Sequence, residues 1–230
     1  MGVENKDKGR PVRGNVSERA GSLYARKTLV MGLTGGPATG KTTVARMFED
    51  LGAKVLSADD VVHHLMQPET DVWRAIVHEF GRTILNADGS MDRKKLAEVV
   101  FADPEKRRRL EAIIHPPVLE FLAKEAERFR GGGEGVLILE IPLLVETSSL
   151  ALVDKVLVVT AEQETQIERL QKRYGIGRKE AVLRIGSQLP MSEKVKHADW
   201  VICTEGTLRG TKEQVNRVWG AIRKSLAQPK

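Results

Sequence analysis

Cysteine occurs once in 230 residues, at Cys203. A single thiol excludes an intrachain disulfide and any cysteine-cluster metal site. Its surroundings, Trp200-Val201-Ile202-Cys203, read as a strand in which it serves as a small apolar residue. A chain without disulfides fits a reducing, cytoplasmic compartment. No apolar run approaches the length that would span a bilayer, and residues 1–27 lack the apolar core of a secretory signal. No histidine stands with a second His or Cys at metal-ligand spacing. Internal repeats are absent.

Charge of one sign is only modestly in excess, at a formal net charge of +6. Most of it sits in residues 1–27, where Lys6, Lys8, Arg10, Arg13, Arg19, Arg26 and Lys27 face only Glu4, Asp7 and Glu18. The remainder is close to neutral, which argues against a nucleic-acid partner. Residues 1–27 are also rich in Gly and polar side chains and lack periodicity. They are expected to form a loosely attached basic arm, and their acidic residues count against an organellar transit segment.

What is present is concentrated at residues 35–42, Gly35-Gly36-Pro37-Ala38-Thr39-Gly40-Lys41-Thr42. This is a complete G-x-x-x-x-G-K-[ST] loop. An apolar run, 29–34, precedes it and reads as a buried strand; 42–51 follows with helical spacing. That context makes it a phosphate-binding loop. Gly35 and Gly40 permit backbone dihedrals that a side chain forbids. The N–H groups of Gly36, Ala38, Thr39 and their neighbours through Thr43 then converge on phosphate, aided by the positive end of the helix. Lys41 reaches the β- and γ-phosphates, and the Thr42 hydroxyl is placed for Mg²⁺. A nucleoside triphosphate and Mg²⁺ are the expected co-substrate and ion.

Five short apolar runs, 29–34, 54–58, 136–141, 155–160 and 200–203, read as parallel strands alternating with helices. The fold class is therefore α/β with a five-stranded parallel sheet. About eighty residues separate the second and third strands, far more than one crossover requires. Helices are predicted there near 71–80, 93–101, 105–114 and 117–130, the last two broken at Pro116-Pro117. A second helical insertion, about 163–198, carries Arg169, Lys172, Arg173, Arg178, Lys179 and Arg184. One domain over 28–228 is expected. Its core covers about 28–59, 134–162 and 199–228; an acceptor subdomain covers about 60–133, and a lid about 163–198.

Asp59 falls at the C-terminal end of the second strand, the edge at which open α/β sheets bind ligands. A carboxylate there can accept a hydroxyl proton and order Mg²⁺-bound water. Asp59 or Asp60 can equally cap a helix starting at Val61. Glu140 ends the third strand, and a carboxylate near the metal and a solvent-facing charge are both open readings. The basic cluster of the second insertion reads either as a lid over the triphosphate or as a solvated helix face. Arg107-Arg108-Arg109 reads as a solvated face, and His63 and His64 as surface residues.

These patterns together resemble the dephospho-coenzyme A kinases. The resemblance rests on Gly32-Leu33-Thr34-Gly35-Gly36 with the loop through Thr43, Leu51-Gly52-Ala53, Ala58-Asp59, Phe80-Gly81 and Asp88-Gly89. It continues in Arg93 with Leu96, Val100 through Pro104, Leu110 through Pro116, Ile141-Pro142-Leu143-Leu144-Val145-Glu146 and 155–159. Arg184 through Gln188, Lys194 and Ala198-Asp199 complete it. It covers about 28–225. It implies a three-layer P-loop nucleoside/nucleotide-kinase fold with an inserted helical coenzyme-A-binding subdomain and a helical lid. It also implies transfer of phosphate from ATP, with Mg²⁺, to the ribose 3′-hydroxyl of dephospho-coenzyme A, the last step of coenzyme A biosynthesis. Carried over, Asp59 is the general base and also an Mg²⁺ contact, through water. Lys41 and Arg173 act in catalysis, Arg178 lies on ATP, and His115, Phe80 and Leu143 lie on the acceptor side. The chain departs from the family pattern at Ser57, at Glu140 and at Thr204-Glu205-Gly206. A monomer is expected. Another small-metabolite kinase of this fold and a non-catalytic ATP-binding module remain the competing readings.

Overall fold

The computed structural model describes residues 28–227 apart from 102, 133 and 148. The basic arm at 1–27 lies outside the described residues.

The apolar runs form β1 (Thr28–Gly35), β2 (Lys54–Ser57), β3 (Gly135–Glu140), β4 (Lys155–Thr160) and β5 (Trp200–Cys203). They make one parallel sheet in the order β2-β3-β1-β4-β5. Central position explains why β1, β3 and β4 read as unbroken apolar runs: both faces are covered. Met31 and Leu33 point to one face, where they pack with Phe48, Ile138, Leu157 and Ile222. Val30 points to the other, with Leu137, Leu139, Val158, Leu122 and Ala126.

The first face is covered by α1 (Lys41–Asp50) and α9 (Leu208–Ala227). Between β2 and β3 stand α2 (Ala58–Leu65), α3 (Asp71–Phe80), α4 (Arg93–Phe101) and α5 (Pro104–Gly132). Trp73, Ile76, Ile84, Met91 and Leu96 give this insertion a core of its own. Between β4 and β5 stand α6 (Gln163–Tyr174), α7 (Arg178–Gly186) and the short α8 (Met191–Val195).

Two local expectations need correction. The predicted break at Pro116-Pro117 does not occur, and α5 runs through both prolines for 29 residues. Prolines remove helix hydrogen bonds, but here packing holds the axis on either side of them. Leu110, Ile113 and Ile114 dock on the insertion's core, while Val118, Leu122, Ala126 and Phe129 dock on the sheet. Likewise α2 begins at Ala58, earlier than Val61, and Ser57 holds its N-cap position. Asp59 and Asp60 sit in its first turn, where the helix dipole favours a carboxylate.

Strand register brings three chain segments to one level. Glu140 is the partner of Leu33 across β1–β3 and of Ser57 across β2–β3. The phosphate loop starts two residues past Leu33, and Asp59 lies two past Ser57. The loop, Asp59 and Glu140 therefore meet at the carboxyl edge, where the strand order switches direction around β1. Gly35 makes this turn at φ +153°, and a Cβ there would lie 2.3 Å from the Val159 carbonyl oxygen of β4. Gly35→Ala is expected to destabilise the fold by about 2–3 kcal/mol, because the atom it strikes is backbone of a central strand. A thermal melt that matches the parent chain would refute this.

Candidate active site

The phosphate loop is braced from within and from behind. Lys41 Nζ donates to the carbonyl oxygens of Gly35 (3.0 Å) and Gly36 (2.8 Å). Thr39 Oγ1 donates to Gly36 O at 3.0 Å, and Gly40 adopts φ +90° just before α1. Behind the loop, buried Thr204 donates from Oγ1 to Thr39 O at 2.7 Å. Arg169 in turn donates to Thr204 Oγ1 (2.9 Å), Thr204 O (2.8 Å) and Ala38 O (3.3 Å). The end of β5 and the start of the second insertion thus fix the curvature of the loop.

Carboxylates stand beside the loop. Glu140 is only 7 % exposed and accepts a hydrogen bond from Thr42 Oγ1 at 3.0 Å. Burial pushes its carboxyl above the usual range, while the Thr42 hydroxyl and the Lys41 charge act against that rise. Burial also lowers the Lys41 ammonium to about 8; Glu140 opposes this, the positive charge of Lys194 adds to it, and Asp59 and Glu146 oppose it. A cavity of about 610 Å³ opens here, lined among others by Lys41, Thr42, Asp59, Glu140, Arg173 and Arg184. A second, mostly apolar cavity of about 230 Å³ is lined by Asp59 together with Val62, His115, Leu122 and Leu143. Asp59, Pro142 and Gln188 line both. A phosphate cradle, a carboxylate and an apolar chamber adjoin one another, as group transfer to a bulky acceptor requires.

The sequence model of one family, dephospho-CoA kinase, matches residues 29–209. The chain belongs to the dephospho-CoA kinase family. It is 44 % identical over 198 residues to the dephospho-CoA kinase of Bacillus anthracis, covering 85 % of this chain and 99 % of that one. A solved structure from Thermus thermophilus is similar at TM-score 0.69 and 31 % identity, covering 84 % of this chain and 97 % of that one. The dephospho-CoA kinase structure from Campylobacter jejuni is similar at TM-score 0.61 and 25 % identity, over 85 % and 98 % of the two chains. The chain is thus a kinase of coenzyme A biosynthesis with the P-loop kinase fold, and its family catalyses the last step of that pathway.

Within this kinase, Ala38, Gly40, Lys41, Thr42 and Thr43 line the main cavity, while Gly35, Gly36 and Thr39 shape the loop behind it. Asp59 and Arg173 share that cavity; His115 and Leu143 share the apolar one. Two expected site residues stand apart. Arg178 is exposed and held by Glu164 through two hydrogen bonds of 2.7 Å. Phe80 packs on the insertion's own core and lines neither cavity. Arg184 lines the main cavity instead, and its guanidinium and that of Arg173 lie 5.2 and 5.3 Å from the ring of Tyr174.

The run at 107–109 divides. Arg108 and Arg109 pair with Glu105 and Glu79, whereas Arg107 lines the cavity while paired with Glu111 at 2.8 Å. His63 interacts with Gln67 and Arg93, and the ring of His64 lies 6.3 Å from that of Phe121, tilted by 56°. Cys203 is exposed rather than packed inside, because β5 is the sheet's edge. Glu140, Thr204, Arg169 and Gln188 are the site residues that sequence reasoning left without a settled role. Among the described residues no helix is long and apolar enough to cross a membrane, and no group of three or more His, Cys, Asp or Glu could hold a metal ion by itself.

Proposed function

We propose that this kinase transfers the γ-phosphoryl group of ATP to the 3′-hydroxyl of the ribose of dephospho-coenzyme A, giving coenzyme A and ADP. The observation that carries this reading is the position of Asp59, which lines both the phosphate-loop cavity and the apolar chamber. The reacting ribose lies against Asp59, and the adenine attached to it is a flat aromatic group whose faces suit the apolar walls formed by Val62, Leu122 and Leu143. In this reading 60–133 serves as the acceptor subdomain and 163–198 as the lid.

The transfer is in line. The ribose oxygen forms a bond to the γ-phosphorus as the bond from that phosphorus to the β–γ bridging oxygen breaks, and its electron pair leaves with ADP. The hydroxyl proton passes to the Asp59 carboxylate. Lys41 exchanges the carbonyls of Gly35 and Gly36 for the β- and γ-phosphates, and Arg173 with Arg184 offsets the charge on the moving group. Arg184 rather than Arg178 is the second lid arginine of this reading, since Arg184 lines the cavity and Arg178 does not; both are paired with a glutamate, Glu180 and Glu164, at 2.7 Å.

The oxygens of Thr42, Glu140 and Asp59 are hard donors at the cavity wall, the set that suits Mg²⁺. Thr42 would hold the ion, with Glu140 and Asp59 behind it. When bound, the ion supplies positive charge that neutralises the phosphates.

Incubation of the purified chain with ATP, Mg²⁺ and one of dephospho-coenzyme A, adenosine or shikimate tests this. Coenzyme A and ADP are expected in equal amounts from the first acceptor alone. ADP from another acceptor only points to a different metabolite kinase. ATP binding without acceptor-dependent ADP release points to a binding module.

A further inference from the structure

The most deeply buried charge in the described structure takes no part in the transfer derived above. Lys194, on α8, has no solvent exposure at all. Its Nζ donates to the carbonyl oxygen of Pro142 (2.9 Å) and to Gln188 Oε1 (3.1 Å), and pairs with Glu146 Oε1 (2.7 Å). Glu146 Oε1 also accepts from the backbone N–H of Leu189 at 3.2 Å. Pro142 O receives a second donor, Thr34 Oγ1, at 3.0 Å. One ammonium thus joins the chain that follows β3, the last part of the second insertion and, through Pro142, the strand that feeds the phosphate loop.

Stability is a poor reason for this arrangement. A buried ion pair is commonly no better for folding than apolar side chains of the same volume. This pair is also incompletely satisfied: Glu146 Oε2 is buried without a hydrogen-bond partner among the described residues. What the pair does define is geometry. Two of the three groups it holds, Pro142 and Gln188, are the residues that stand with Asp59 on the wall shared by the two cavities. Apolar packing at this point would fill the volume yet free the Gln188 amide to reorient and leave the Pro142 carbonyl held by Thr34 alone.

We propose that Lys194, anchored by Glu146, is a positioning residue for the acceptor. It fixes Pro142 and Gln188 as the two jaws through which the ribose reaches Asp59. This rests on the acceptor reading given above. The charge of Lys194 is also felt at Lys41, whose ammonium it lowers, so the tie and the phosphate loop share one electrostatic environment.

The test replaces the pair by apolar groups, Lys194→Met with Glu146→Leu. A residue with a purely structural role would be fully replaced. A positioning residue would leave a folded enzyme whose KM for dephospho-coenzyme A rises about tenfold while its KM for ATP stays within about twofold. Unchanged acceptor KM in a folded double variant overturns the proposal, and so does an equal rise in both KM values. Should the double variant fail to fold, Glu146→Gln keeps the volume and weakens the anchor of Lys194 without touching either cavity wall. A rise of about threefold in acceptor KM is then expected, and no rise overturns the proposal.

Amide hydrogen exchange reads the same tie without substrate. In Lys194→Met, the amides of residues 186–189 are expected to exchange about tenfold faster than in the parent while β1 and β3 keep their protection. Equal exchange at 186–189 overturns the tie. Failure of the parent chain to phosphorylate dephospho-coenzyme A would count against the functional reading instead.

Discussion

Asp59→Asn is expected to lower kcat with dephospho-coenzyme A by about 10²- to 10⁴-fold, the usual contribution of a positioned general base. Asparagine keeps the size and one acceptor oxygen of the side chain but cannot take the ribose proton. ATP affinity should change far less than kcat, because the loop backbone and Lys41 hold the phosphates and asparagine keeps an oxygen toward the ion. Its negative charge favours the charged form of Lys41, but it is not the largest influence there. Stability should fall by no more than about 1 kcal/mol, the scale of a first-turn carboxylate's interaction with its helix. Single-turnover kinetics with isothermal titration of ATP separate these effects. A kcat equal to that of the parent removes Asp59 as the base. Joint loss of turnover and ATP binding would mean that the substitution has disturbed the loop rather than the proton transfer.

The legibility of this molecule in its sequence follows the range of the interactions involved. The strand–loop–helix unit around Lys41 is local: apolar run, glycines and helical spacing lie within about two dozen residues, and each constrains backbone dihedrals directly. The five strands were legible because a parallel sheet buried on both faces demands unbroken apolar runs. Pro116-Pro117 misled because its local cost is real but is overridden by packing at a distance, on the insertion's core at one end and on the sheet at the other. Arg178 and Phe80 were carried into the site on motif position, yet their surroundings are set by Glu164 and by the insertion's own core.

Glu140 shows the same limit from the other side. Its place at a strand end left exposure and burial equally open, and the register of β3 against β1 and β2 brings it beneath Thr42. Lys194 and Thr204 carry no signal of their role in their own neighbourhoods. Beyond nearby Gln188, Lys194 finds a partner 52 residues away at Pro142, and Thr204 finds one 165 residues away at Thr39.

Lys41→Met should reduce kcat/KM for ATP by about 10³-fold, since it removes a desolvated charge from the phosphates without opening space for water to replace it. Methionine retains most of the aliphatic stem, so packing under the loop survives and the melt should shift little. The magnitude depends on the charge state of the lysine, and burial lowers that ammonium to about 8 in the free enzyme. Bound phosphates favour the charged form, so its pKa is higher in the complex. Affinity is therefore complete below pH 8 and falls as pH rises through 8, by up to about tenfold per unit until the pKa of the complex is reached. Above pH 8 each ATP that binds must take up a proton. Titration calorimetry in two buffers of different ionisation enthalpy measures that uptake directly. It should be near zero at pH 6.5, rise toward one proton near pH 9, and vanish in Lys41→Met. A constant proton count across this range in the parent chain would show that Lys41 stays charged throughout. The loop's field would then be governed by Glu140, Asp59 and Glu146, the groups that raise its pKa, and not by the burial that lowers it.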